Sequence, residues 1–162
     1  MYVTLQVKNI KIKKMKSHIQ IGKSIDRRPV FSALWIFATL NYLYCDVMSL
    51  MDPPILKQYL SGTVNGMSIN GSFLLGAAIL MEIPIGMVIL SRVLKYKANR
   101  LANMVAGLIM TIVQTLTMFM GMPAPYYLFC GTIEILTTAF IVWYAWKWVG
   151  TISTSVNSTI TE

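Results

Sequence analysis

The chain has 162 residues, 56% of them hydrophobic and only 12% charged, against about a quarter charged in an ordinary soluble domain. A soluble fold this small cannot hide so much apolar surface, which includes twelve Met, eight Tyr, six Phe and four Trp, so lipid must cover part of it. The net charge of +8 does not point to nucleic acid, because the basic residues punctuate hydrophobic stretches and no recognition motif accompanies them.

Residues 1–29 form a basic cytoplasmic segment with eight of the fourteen Lys and Arg. Its charge predicts contact with anionic lipid headgroups. Alternation from Tyr2 to Ile12 fits a short strand or a weakly amphipathic surface segment. The first span covers about residues 30–51, since about 20 helical residues cross the hydrocarbon core. The run is too long for a signal peptide, and no small-x-small cleavage site precedes Asp52-Pro53-Pro54, so it reads as an uncleaved anchor. Residues 52–67 make an outer loop, with Gly62, Asn65 and Gly66 as turn formers and Ile55–Leu60 as a short interfacial helix.

The second span covers about residues 68–91 and contains Pro84, which removes a backbone hydrogen bond and predicts a kink. The stretch Arg92–Arg100 carries four basic residues and no acid and reads as a cytoplasmic loop. The third span is about residues 101–120, followed by an uncharged turn. The fourth is about residues 126–149. It ends in Trp143, Tyr144, Trp146 and Trp148, an aromatic belt with Lys147 snorkelling beside it. Residues 150–162 are a polar tail. Thirteen basic residues fall on the side of the N-terminus, the 92–100 stretch and the end of span four, and one, Lys57, on the other. The four apolar runs predict an all-α polytopic four-helix bundle, expected in the cell's inner (cytoplasmic) membrane, and that asymmetry predicts both termini cytoplasmic.

Three acids lie within spans: Asp46, Glu82 and Glu134. Gln114 and Asn103 add polar groups to span three, and Asn70 one at the head of span two. No basic residue lies deep in any span, so each acid must be protonated, hydrated, hydrogen-bonded or bound to a cation. Steps of three or four residues group Asp46 with Tyr42, Thr39 and Trp35. They group Glu82 with Ala78, Gly71 and Gly86, Gln114 with Met110, Gly107 and Asn103, and Glu134 with Cys130 and Ile141. Each span thus carries one stripe of polar and small residues, and the four stripes are expected to face one another. From the outer ends, Asp46 and Gln114 lie roughly 8–10 Å inward, Glu134 about 12 Å and Glu82 about 20 Å, so the acids are staggered toward the middle of the bundle.

Cys45 and Cys130 fall at similar depth. They are either a thiol pair or two small buried residues. There is no CxxC, HExxH or Cys/His cluster, which argues against a zinc site or a c-type haem.

Several strings resemble an uncharacterised family of small bacterial four-span integral membrane proteins. They are Asn41-Tyr42-Leu43-Tyr44-Cys45-Asp46, Met81-Glu82-Ile83-Pro84-Ile85 with Ser91-Arg92-Val93-Leu94, Ala98-Asn99-Arg100-Leu101-Ala102-Asn103, and Glu134 with Ala145-Trp146-Lys147-Trp148. The resemblance covers about residues 30–149, leaves the basic leader outside, and implies topology alone. A looser likeness to DoxX-like four-helix membrane folds rests on hydropathy.

Function reads in two main ways. The acids serve proton- or cation-coupled transport of a small solute through a polar bundle interior, or they are structural hydrogen-bonding groups in a non-catalytic protein that binds a partner or lipid. A thiol- or quinone-linked redox enzyme ranks last. No nucleophile–base pair or cofactor motif is visible, so no enzyme and no cofactor is expected. Four spans are few for a solute pathway, which points to a homodimer.

Overall fold

The computed structural model describes residues 26–120 and 124–148. The Tyr2–Ile12 segment, the rest of the leader to residue 25 and the polar tail lie outside the described residues. The elements run in order α1 (Arg28–Met51), α2 (Pro53–Leu60), β1 (Thr63–Val64), β2 (Met67–Ser68), α3 (Gly71–Val93), α4 (Tyr96–Met118) and α5 (Pro125–Trp146). All belong to one compact unit, Arg27–Gly150. Four of the described helices, all but α2, are long and apolar enough to cross a membrane. The chain is an all-α membrane protein.

Proline and left-handed residues set the element boundaries. Pro29 sits in the first turn of α1, where a missing N–H costs nothing. The helix ends at Asp52, which is extended (φ −83°, ψ 110°), because a residue before proline is pushed out of the helical region. Pro53 and Pro54 then open α2. Asn65 and Gly66 have φ of 49° and 81°, a consecutive left-handed pair that closes a two-residue hairpin. The register is Thr63↔Ser68 and Val64↔Met67. Asn65 N donates to Gln58 Oε1 at 3.0 Å, and Asn65 Nδ2 donates to Met120 O at 3.2 Å, tying the hairpin to the end of α4. We call this the hairpin end of the bundle and the opposite one the basic end.

Two expectations change here. Asn70 is an exposed N-cap at the head of α3 and takes no part in a polar bundle interior. Its Oδ1 accepts from Phe73 N at 2.9 Å. The basic stretch 92–100 is mostly helix. Arg92 lies in the last turn of α3, Lys97 and Arg100 open α4, and only Leu94 and Lys95 connect them. Hydropathy registers only the apolar part of a span, whereas basic residues are good helix formers and extend it beyond the hydrocarbon. Helix α3 runs through Pro84 unbroken.

In the bundle, α1 packs between α3 and α5, α5 packs between α1 and α4, and α3 meets α4 less extensively. Gly107 allows α4 and α5 to close up. A Cβ there would lie 2.7 Å from Val142 Cγ2 and 3.3 Å from the Thr138 carbonyl. Thr111 Oγ1 donates to Thr138 Oγ1 across the same seam at 2.8 Å. Phe31, Trp35, Ala38, Met87, Met110, Ile141 and Ala145 form the core. The aromatic belt is divided. Tyr144 and Trp148 turn inward onto Phe31, with ring centroids 5.2 and 5.4 Å away, while Trp143 and Trp146 stay exposed. Lys147 Nζ lies 4.6 Å from the Trp143 ring.

The buried faces of α4 and α5 carry the expected residues Asn103, Gln114 and Glu134, and that of α1 carries Trp35 and Tyr42, but Asp46 is exposed beside it, with Cys45 and Ser49 buried instead. That of α3 does not carry its acid. Its buried residues are Pro84, Met87 and Ser91, and Glu82 is exposed on the outside of the bundle. Helix α3 is apolar on all sides, so its own pattern does not choose a face. Polar bonds at the basic end choose it instead.

Candidate functional site

Those bonds form a closed network. Asn103 Oδ1 accepts from Trp35 Nε1 at 2.7 Å and from Ser91 Oγ at 3.3 Å. Its Nδ2 donates to Asn99 O at 2.9 Å and Asn99 Oδ1 at 2.6 Å. Asn99 Nδ2 donates to Ser91 O at 2.5 Å, and Arg92 Nε to Ser32 Oγ at 2.9 Å. Trp35, Ser91, Asn99 and Asn103 are all fully buried. Buried polar groups that satisfy one another fix helix rotation and depth. Asn103 is therefore part of a lock between α1, α3 and α4, at the end of the bundle away from the acids. Ser91 and Asn99 were missed as site residues, although Asn99 stands one helical turn before Asn103 and the spacing alone was a signal.

The hairpin end is open. A cavity of about 1070 Å³ lies between the end of α1, α2, the hairpin, the first half of α3 and the facing ends of α4 and α5. Asp46 and Asp52 supply its carboxylates, Tyr59, Tyr126, Tyr127 and Phe73 its aromatic rings, and Gly76, Ala77, Leu80 and Met81 its apolar wall on α3. Among the described residues no Lys, Arg or His lines it. Asp52 Oδ2 accepts from Tyr126 OH at 3.2 Å. Burial, with the charge of Asp46 nearby, pushes the Tyr59 phenol up from its ordinary value, so it stays a donor near neutral pH. Asp46 belongs to the expected set. Asp52 and the three tyrosines do not, because each sits at a helix boundary, where polar residues are ordinary.

Glu134 lies deeper, two turns along α5 from Tyr127. It is 1% exposed, and its Oε1 has no hydrogen-bond partner among the described residues. The hydroxyl of Tyr42 is likewise buried and unpaired. Glu134 is within electrostatic reach of Tyr42, Cys45 and Asp46, and it forms no ion pair among the described residues. Gln114 approaches from α4. Its Nε2 would stand 3.0 Å from a Cβ at Gly131, one turn from Glu134.

Cys45 and Cys130 are both free and buried, near enough for their thiols to interact electrostatically. Among the described residues no group of three or more His, Cys, Asp and Glu is placed to hold a metal ion. The structure thus gathers Tyr42, Asp46, Gln114, Glu134 and the two cysteines toward the hairpin half of the bundle, and leaves Glu82, Asn70 and Asn103 elsewhere.

No curated protein and no solved structure matches the chain. A family match extends from residue 20 to residue 154, taking in part of the basic leader as well as all four long helices. The chain belongs to this family, DUF6326, a family of unknown function.

Proposed function

We propose that the protein is a small transporter whose cavity at the hairpin end admits an organic cation from outside the cell, with Glu134 beneath it as the proton- or cation-exchanging group. The observation that carries this reading is the cavity itself. Two carboxylates and several aromatic rings line a largely apolar space, and no described basic residue competes for the acids. Carboxylates attract a cation, aromatic faces hold it through their quadrupoles, and apolar walls favour a solute with hydrocarbon bulk. The thirteen-to-one distribution of basic residues supports a cytoplasmic basic end and an outward-facing cavity.

The competing reading makes the acids structural hydrogen-bonding groups in a protein that binds a partner or lipid. It suits the amides at the basic end, whose bonds are made. It suits Glu134 poorly, because a structural acid is expected to have both oxygens paired, and Oε1 is not.

The test uses purified protein in liposomes and tetraphenylphosphonium as the probe. Loss of one carboxylate about 6 Å from the cation, at an effective dielectric constant of about 40, removes about 1.4 kcal/mol, a factor of ten. Asp46→Asn and Asp52→Asn are each expected to weaken probe binding about tenfold. Glu134→Gln is expected to retain binding and to abolish proton-driven accumulation. Unchanged binding in both aspartate variants, or full accumulation in Glu134→Gln, would overturn the reading.

A further inference from the structure

Glu82 is an acid on the wrong side of its helix. Its residue is exposed, and it makes no hydrogen bond or ion pair among the described residues. It stands eleven positions from each end of α3, so its carboxyl starts about 16 Å from either end, too far for a glutamate side chain to reach the interface. An acid at this depth facing hydrocarbon is costly, by a few kcal/mol on insertion scales, and such residues are nearly always covered by protein.

The surface around Glu82 is suited to close helix contact. Ala78 is exposed one turn before it and Gly86 is half-buried one turn after. A Cβ added to Gly86 meets nothing within 4 Å. Leu75, Ile89 and Val93 extend the same face and are 63%, 65% and 73% exposed. Helix α3 is the least buried of the four spans and the most apolar. Small residues flanking a polar one let two backbones approach, so that the polar group meets a partner across the interface.

We infer that this face of α3 is the contact surface for a second copy of the chain, related by a two-fold axis along the membrane normal that passes beside Glu82. Copies inserted the same way have their Glu82 at the same depth. A two-fold axis there brings the two carboxyl groups together, one donating through its hydroxyl and the other accepting. Any other occupant would have to present its own hydrogen-bonding group at mid-membrane. A second copy does so by construction. Ala78 also borders the cavity at the hairpin end, but Glu82, Gly86, Ile89 and Val93 do not line it, so the inference does not rest on the transport reading.

The experiment places the full chain, carrying Cys45→Ala and Cys130→Ala, in lipid vesicles. Ala78→Cys is expected to give an oxidative cross-link at twice the monomer mass, whereas Leu108→Cys, exposed on α4, is expected to give little. By single-molecule photobleaching at low protein density, Glu82→Leu is expected to weaken the dimer about 3- to 30-fold, the range set by one interhelical hydrogen bond. Glu82→Gln, which can still donate and accept, is expected to keep it. Glu82→Leu removes no hydrogen bond or ion pair among the described residues and should retain its helix content and thermal midpoint. Its folding is followed by circular dichroism, and the Ala78→Cys cross-link stands whether or not that variant folds. Monomers at every density, equal cross-linking at Ala78→Cys and Leu108→Cys, or an undiminished dimer in folded Glu82→Leu would each overturn the inference.

Discussion

Asn103→Leu tests whether the buried amides lock the bundle. The substitution keeps the branched shape, with methyl groups bulkier than the amide, and removes four hydrogen bonds. Ser91 can rotate its hydroxyl, and the Asn99 carbonyl keeps its helical partner. Trp35 Nε1 and Asn99 Oδ1 are left without one in a fully buried place. A stranded buried group costs about 1–3 kcal/mol, and interhelical bonds in membrane bundles fall toward the lower part of that range. The expected loss is about 2–4 kcal/mol. Unfolding of the full chain in mixed micelles with increasing sodium dodecyl sulfate, followed by far-UV circular dichroism, reads it. The sharper measurement is the double-mutant cycle with Trp35→Phe, which deletes the indole donor. Once Asn103 is leucine, losing the indole N–H should cost less, so the double variant should recover about 1 kcal/mol relative to the sum of the singles. A single-variant loss below about 0.5 kcal/mol, or additivity within about 0.5 kcal/mol, refutes the lock.

The two helical glycines at the α4–α5 seam should respond unequally. Gly107→Val drives a branched side chain into Val142 and the Thr138 carbonyl and should cost about 1–3 kcal/mol in the same titration. Gly131→Ala meets the mobile end of Met118 and the Gln114 amide and should fall within about 1 kcal/mol of wild type, because alanine's helix propensity offsets the crowding. Equal losses at both sites would contradict the packing. Mild oxidation should join Cys45 to Cys130 within one chain and give a faster, reductant-sensitive band on electrophoresis, absent in Cys45→Ser. An unchanged mobility after exhaustive oxidation would show that the thiols are not in bonding reach.

The sequence made three of the four inward faces legible because in each of those helices several polar or large aromatic residues recur at helical spacing on one side. Trp35 and Tyr42 on α1, Asn103 and Gln114 on α4, and Glu134 with Thr138 on α5 stand at helical spacing against aliphatic residues on the other side. Helix α3 offers no such contrast. Its acid points to one face as the inside, yet Ser91, nine residues further on, makes the inter-helix bonds and turns Glu82 outward. A rule that polar residues face inward fails where a helix has two polar positions on different faces and only one has a partner. The cavity was not readable for a related reason. Asp46 was visible, but Asp52, Tyr59, Tyr126 and Tyr127 come from three helix ends, and only the Asn65-Gly66 hairpin and the Pro53-Pro54 break bring those ends round one space.

Hydrogen-bond satisfaction divides the molecule along its length. At the basic end Trp35, Ser91, Asn99 and Asn103 satisfy one another, and Arg27 adds a bond from Nη1 to Tyr144 O at 3.1 Å with its guanidinium 4.5 Å from the Tyr144 ring. The one buried nitrogen without a partner among the described residues is Arg100 Nε, on a guanidinium whose Nη2 donates to Trp146 O at 3.0 Å. At the hairpin end the Tyr42 hydroxyl and Glu134 Oε1 are unpaired, and the α3 wall of the cavity is small and bare. Helix α3 joins the two regimes. Its buried residues all lie from Pro84 onward, and the proline deprives the Leu80 carbonyl of its helical donor at the level where burial ends. Local stability follows buried contacts and paired polar groups. The cavity therefore borders the least constrained half-helix in the bundle, and the network that holds α3 in place is at the far end from it. A site that must admit and release a solute gains from that division, because the wall beside it can yield while the fold is held elsewhere.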